Sequence, residues 1–205
     1  MKGVLIAIEG IDGAGKTTIA THLLKFLQDK GYECVVFKEP SNSVYGEILR
    51  SLKENLDPEE ELKLFLLDRK VDVEERIKPA LEKGKIVIMD RYYYSNIAYQ
   101  SARGINAEEI RKMNEEIAPK PDLVILLDLS PEKAMERIKS RGRSTVFERK
   151  EYLEKVRKKF LEISDDRTLI VNAERDLEVV KREVESAVMK LLEEKSKKRC
   201  FDRSF

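Results

Sequence analysis

The segment Gly10-Ile11-Asp12-Gly13-Ala14-Gly15-Lys16-Thr17-Thr18 sets two glycines, a lysine and a hydroxyl in the spacing G-x-x-x-x-G-K-[ST]. The chemistry of that spacing is phosphate binding. Glycines let successive backbone N–H groups turn inward around phosphate oxygens, and the N-terminus of a following helix adds its positive end. Lys16 is then placed to bridge the β- and γ-phosphates of a nucleotide, and Thr17 to offer a hydroxyl to Mg²⁺. An incidental match of four constrained positions is expected on the order of 1% of the time in a chain this long. The apolar run Val4–Ile8 before the loop and the amphipathic stretch Thr18–Gln28 after it supply the strand and helix that this mechanism needs.

Two carboxylates close apolar runs further on: Asp90 after Ile86–Met89, and Asp128 after Leu123–Leu127. Ligands of open α/β sheets gather at the carboxyl ends of strands. Asp90 is therefore a candidate for holding Mg²⁺ through water, while Asp128 is read as a strand cap or a second candidate. Arg91, next to Asp90, can grip a phosphate with two parallel N–H groups. The amides of Asn96 and Gln100 can read the edge of a base. Phe65 and Arg69, four residues apart, share one helix face; taken alone the pair reads as an amphipathic helix with one core Phe and one solvated Arg. No Asn-Lys-x-Asp element is present, which removes the guanine-reading GTPases.

These residues need a scaffold, and the chain alternates short apolar runs with helix-length amphipathic stretches throughout. The runs Val4–Ile8, Cys34–Phe37, Ile86–Met89, Leu123–Leu127 and Leu169–Val171 read as strands buried on both faces. Glu59–Leu81, Ala107–Ala118, Pro131–Lys139 and Val146–Ile163 read as helices between them, the third opened by Ser130-Pro131. The pattern predicts an α/β fold: about five parallel strands covered by helices on both faces. One domain is expected over residues 1–194. The run from Lys195 to Phe205 loses periodicity and is expected to be a frayed tail.

Composition bounds the partners. Forty basic and 39 acidic side chains nearly cancel, so net charge gives no footprint for nucleic acid. No apolar run approaches the ~20 residues of a membrane span, and a cytoplasmic protein is expected. Cys34 and Cys200 lie far apart and show no metal or redox spacing; Cys34 reads as a small core residue. The single histidine, His22, reads as structural. Dense charge of both signs with two glutamines is similar to heat-adapted compositions.

The thirteen residues Ile88-Met89-Asp90-Arg91-Tyr92-Tyr93-Tyr94-Ser95-Asn96-Ile97-Ala98-Tyr99-Gln100 resemble the signature of the thymidylate kinase family. So, in order, do Lys38-Glu39-Pro40, Gly46-Glu47-Ile48-Leu49-Arg50, Leu64-Phe65-Leu66-Leu67-Asp68-Arg69, Pro121-Asp122-Leu123 and Ala134–Gly142; the resemblance spans roughly residues 3 to 175. It implies a P-loop nucleoside-monophosphate kinase that moves the γ-phosphate of ATP onto dTMP with Mg²⁺. By that resemblance Gly10 to Thr18 and Arg137 bind ATP, with adenine between Arg137 and Asn172-Ala173. Asp12, Glu39, Arg50, Phe65, Arg69, Arg91, Asn96, Tyr99 and Gln100 bind dTMP. Asp12 touches the sugar 3′-hydroxyl, Glu39 positions metal-bound water, and Tyr99 crowds the ribose 2′ position. Lys16, Arg91, Asp90 and the lid arginines Arg141 and Arg143 carry the reaction; the lid covers approximately residues 139–150, Arg149 included. Two departures stand out. Lys38 replaces the usual arginine, and the phosphate loop holds no arginine, which shifts weight to Arg141 and Arg143. A homodimer is implied. A sister kinase for dUMP, UMP/CMP, AMP or a deoxynucleoside, and a nucleotide-dependent switch, stay open as alternatives.

Overall fold

The computed structural model describes residues 3–51, 56–139 and 147–202, with side chains to 197 apart from those of 147–149. Five parallel strands form one sheet in the order β2-β3-β1-β4-β5. They are β1 Val4–Glu9, β2 Cys34–Lys38, β3 Ile86–Asp90, β4 Leu123–Asp128 and β5 Thr168–Asn172. Each contains the apolar run expected of it and extends one residue past its carboxyl end, in four cases to a charged group; β5 also gains Thr168 at its start. The three central strands are the uninterrupted apolar ones: every residue of β1 and β3 is buried, as are four of the six in β4. Edge strands β2 and β5 are half-open. Burying one Ile, Val or Leu contributes about 1.5–3 kcal/mol, so the central trio dominates the core.

Register then decides what meets at the sheet's carboxyl edge. Asp90 pairs with Ile8 on one side and with Lys38 on the other, while Asp128 pairs with Asn172. The charged ends of four strands therefore lie along one edge, with the chain leaving β1 between them into the phosphate loop. That is where an open α/β sheet places its crevice.

Helices α1 Lys16–Asp29, α2 Val44–Ser51 and α3 Pro58–Asp72 follow in the first half. α3 starts as its sequence demands. Asp57 accepts from the amides of Glu59 and Glu60, Pro58 occupies the first turn, and three glutamates sit at the positive end. The single helix expected to Leu81 is helical throughout but interrupted by a π-turn, Val73–Ile77, before α4 Lys78–Glu82. Pro79 supplies the reason: it has no N–H for the carbonyl four residues back, and its ring would crowd that carbonyl. The Lys78 amide reaches back to Val73 instead, which widens the turn.

The remaining helices are α5 Tyr93–Ser101, α6 Ala107–Ile117, α7 Pro131–Lys139, α8 Phe147–Glu162 and α9 Leu177–Asp202. α5 is buried on nearly every side, so it has no polar face for periodicity to detect. The expected frayed tail is corrected here: α9 stays helical from Lys195 to Asp202, and Lys195 reaches Asp122 at 2.6 Å. Val180, Val184, Val188 and Leu192 anchor the helix. Once nucleated, it propagates through good helix formers without needing an apolar stripe. His22 bonds Glu185 of α9 at 2.6 Å. Among the described residues no helix is long and apolar enough to cross a membrane.

Candidate active site

β1 delivers the chain to the phosphate loop at Gly10, whose φ is +136°. A Cβ there would lie 2.5 Å from the Leu127 carbonyl oxygen, and one on Gly13 would lie 2.9 Å from that of Ala134. Both glycines thus let the loop nest against β4 and α7. Ala14 closes a turn on Ile11 at 3.2 Å, and α1 begins at Lys16 directly after Gly15. Lys16 is buried, and its ammonium donates to the Ile11 carbonyl at 2.7 Å. Burial pushes this ammonium down to about 7, and Arg91 adds to the effect; Asp12, Asp90 and Glu9 oppose it. Thr18 stands exposed in the first turn of α1.

The Thr17 hydroxyl donates to the Asp90 carboxylate at 2.5 Å, and the Lys38 ammonium lies 3.2 Å from that carboxylate and 3.4 Å from the hydroxyl. Mg²⁺ keeps much of its water and takes one or two protein oxygens beside substrate phosphates. A hydroxyl and a carboxylate converging beside the phosphate loop fit that donor set. Among the described residues no cluster of three acidic, His or Cys side chains offers a metal cage.

Arg91 carries the one positive φ, +72°, among the described non-glycine residues. A strained backbone of this kind persists only where the surroundings hold it. Here the holding group is Glu9, fully buried at the end of β1. Its carboxylate accepts from the amides of Tyr92 and Ser95 at 2.8 and 3.1 Å and from the Ser95 hydroxyl at 2.5 Å. Burial raises the Glu9 carboxyl above its usual range. The Arg91 guanidinium reaches the Ser95 hydroxyl at 3.0 Å, the Gly10 carbonyl at 3.3 Å and Asp12 at 2.5 Å, with the Tyr99 ring 5.3 Å away. Thus Lys16, Asp12, Arg91 and Tyr99 form one group at the mouth of the phosphate loop.

Deeper in, α3 turns a charged face inward: Asp68, Arg69 and Asp72 are all buried. Glu39 grips Arg69, with Nε 3.1 Å from both of its oxygens and a second, shorter contact from the guanidinium. Burial pushes the Glu39 carboxyl up to about 7 against the pull of Arg69. Burial likewise works against the Arg69 charge, and Glu39 outweighs it. Both oxygens of Glu39 thus accept from Arg69. Arg69 also donates to Asn96 at 3.2 Å and to Asn114, and Gln100 follows Asn96 one helical turn on. Phe65 is half-buried on the same helix. Arg50 is exposed and sits on the carbonyls of Pro40 and Ser41 at 2.9 and 2.5 Å. Asp68 pins that loop by accepting from the Ser41 amide and hydroxyl at 2.7 and 2.5 Å and the Ser43 hydroxyl at 2.6 Å.

On the opposite flank Arg137 spans the Gly13 carbonyl at 3.3 Å and the Ala173 carbonyl at 3.0 Å, joining the phosphate loop to the turn after β5. Asp128 does more than end its strand: Arg157 grips it at 2.6 and 2.8 Å. Arg141 and Arg143 lie outside the described residues, as does the Arg149 side chain.

Sequence reading missed Glu9, Asn114, Glu61 and Arg157. Glu9 alone left a signal, an acid at the end of an otherwise apolar strand; the rest are ordinary polar residues until the fold brings them in.

A parallel sheet whose first strand feeds a phosphate loop, with a strained arginine facing that loop and a buried polar group beyond, defines a P-loop nucleotide kinase. Comparison narrows the class. The model of one family, thymidylate kinase, matches residues 8–184. The chain is 57% identical over 189 residues to a probable thymidylate kinase of Archaeoglobus fulgidus, covering 92% of this chain and 96% of that protein. It is 43% identical over 189 residues to the thymidylate kinase of Akkermansia muciniphila, with coverage of 91% and 92%. With that of Brachyspira hyodysenteriae it shares 41% over 179 residues, covering 86% and 88%. The chain belongs to the thymidylate kinase family.

Proposed function

We propose that this protein transfers the γ-phosphate of ATP to dTMP, giving ADP and dTDP for dTTP synthesis. The observation that carries the reading is the placement of Arg91. Its guanidinium stands against Asp12 and the Gly10 carbonyl, on the shoulder of the loop that holds Lys16. An acceptor phosphate bound there faces the γ-phosphate.

The amides of residues 10–18 and the Lys16 ammonium hold the donor phosphates, and Arg137 lies along adenine beside Asn172 and Ala173. Thr17 and, through water, Asp90 would hold Mg²⁺, which would supply charge neutralisation at the donor phosphates. Arg91 and Arg50, with Lys38 near them, orient the dTMP phosphate. Asp12 takes the sugar 3′-hydroxyl, and Tyr99 excludes a 2′-hydroxyl. Phe65 stacks on the base, while Arg69, Asn96 and Gln100 read its edge, with Glu39 holding Arg69. The attacking phosphate oxygen is already an anion, so the chain supplies alignment and charge rather than a general base. Arg141 and Arg143, in a lid over residues 139–150 of one domain spanning 1–194, neutralise charge on the transferred group as closure excludes water.

The working unit is a cytoplasmic homodimer. Val44, Ile48, Leu67 and Met113 are exposed at 62, 38, 42 and 42% on α2, α3 and α6, and α3 packs on both other helices. Exposed apolar side chains on three neighbouring helices suit a self-association surface. ADP release with Mg-ATP and a panel of dTMP, dUMP, UMP, CMP, AMP and thymidine tests the activity. A dTMP preference is expected; a different preferred monophosphate would keep the kinase and discard the pocket, and ATP binding without acceptor-dependent release would indicate a switch protein.

A further inference from the structure

Three buried amides beside Arg69 form a chain whose direction is fixed at both ends. Asn114 of α6 is fully buried. Its Nδ2 donates to the Ile110 carbonyl at 2.8 Å, which can only accept, and its Oδ1 accepts from the Arg69 guanidinium, which can only donate. Asn114 therefore has one allowed orientation. Asn96 Oδ1 accepts from Arg69 at 3.2 Å and from Asn114 Nδ2 at 3.1 Å, so its Nδ2 must take the other side. That Nδ2 donates to Gln100 Oε1 at 3.0 Å, and Gln100 Nε2 donates to the Glu61 carboxylate at 2.7 Å. Glu61 is in turn held by Arg103 at 2.5 Å.

The direction matters because an amide and a pyrimidine edge invert in the same way. Thymine offers an acceptor at O4 and a donor at N3; cytosine offers a donor at N4 and an acceptor at N3. An unpinned Asn or Gln can rotate its amide by half a turn, with almost no change of shape, and serve either base. A pinned amide leaves its wrong partner unsatisfied, which is how a buried polar site discriminates.

We propose that Asn114 is a positioning residue that, with Glu61 at the far end of the chain, fixes the polarity of Asn96 and Gln100 and so selects a 4-oxo pyrimidine over a 4-amino one. This rests on the reading of Arg69, Asn96 and Gln100 as the base-reading group. Asn114→Asp keeps the shape but sets an oxygen against Asn96 Oδ1, so that amide is held by Arg69 on one side, repelled on the other, and loses its single fixed direction. Glu61→Gln, at a half-exposed position that carries little folding risk, removes the obligate acceptor at the other end.

The test is the ratio of kcat/KM for dTMP to kcat/KM for dCMP, measured on one preparation of each protein so that the folded fraction cancels. Asn114→Asp is expected to lower the ratio by about tenfold or more, the worth of one misdirected hydrogen bond. The change should appear in KM for the nucleotide acceptors, with KM for ATP unaltered. A smaller change overturns the proposal. If Asn114→Asp does not fold, Glu61→Gln decides: about a threefold fall or more supports it, and less overturns it. A merely structural role would lower both rates together and leave the ratio in place. A wild-type enzyme that prefers dTMP alongside variants with an unchanged ratio would overturn this inference alone, whereas a wild-type enzyme that ignores dTMP would overturn the pocket assignment with it.

Discussion

At the scale of single residues, the phosphate loop holds a cation at a cost. The Lys16 ammonium is pushed from 10.5 down to about 7, chiefly by burial. Between those values the unfolded chain binds a proton that the folded chain lacks, so stability gains as pH rises through that window. The cost is fully present below pH 7 and fades toward 10.5. Lys16→Met is therefore expected to abolish ADP release while raising the melting point of the ligand-free protein at pH 6, and by less at pH 9. Melting curves at both pH values check this; a lower melting point at pH 6 would mean that the bond to the Ile11 carbonyl outweighs desolvation. Glu9 has the opposite character, since it stabilises strain elsewhere. Glu9→Ala leaves the Tyr92 and Ser95 amides without their acceptor, a loss of about 1–3 kcal/mol. It should also free Arg91 from its +72° backbone. Urea unfolding and initial rates should show lower stability and a raised KM for dTMP, with KM for ATP held.

Elements act through how closely they pack. α3 buries charge rather than an apolar stripe because Asp68 anchors one loop and Arg69 bonds Glu39, Asn96 and Asn114. α2 closes on the Ser41 loop through Gly46, where a Cβ would lie 2.0 Å from the Ser41 carbonyl oxygen. That atom is backbone pinned by Asp68, so it cannot yield cheaply. Gly46→Ala should cost about 1–3 kcal/mol and displace Arg50, which bonds the same loop. Thermal unfolding and dTMP saturation curves would register both; unchanged values would show that the loop can shift as a unit.

For the whole molecule, 40 basic and 39 acidic side chains make association depend on local patches rather than net charge. Carboxylates placed on α3 and α6 are expected to break the proposed homodimer. Sedimentation of Leu67→Glu/Met113→Glu beside the parent, at equal concentration, should show a monomer and a dimer respectively. A parent that sediments as a monomer would remove the homodimer from the proposal.

Much of this architecture follows from local sequence. The three central strands, covered by helices on both faces, need unbroken apolar runs; the half-open edge strands carry shorter ones, so all five are visible in Val4–Ile8 and its counterparts, and the phosphate loop follows from glycine spacing alone. Arg91 and the Phe65–Arg69 pair were legible through family resemblance, since an arginine after a strand has many uses. α5 was not legible by period because burial on every side erases the amphipathic signal. The α9 extension was missed because helix propagation needs no apolar stripe. Strand order lay beyond local pattern, and with it the register that sets Asp90 between Ile8 and Lys38. The partners of Arg69 were equally hidden: Glu39, Asn96 and Asn114 come from three separate elements. Sequence determines what each segment can bury, because burial is written in residue type and period. Which polar groups satisfy one another in the interior is decided only when the elements dock, because a hydrogen bond depends on distance and direction across the fold.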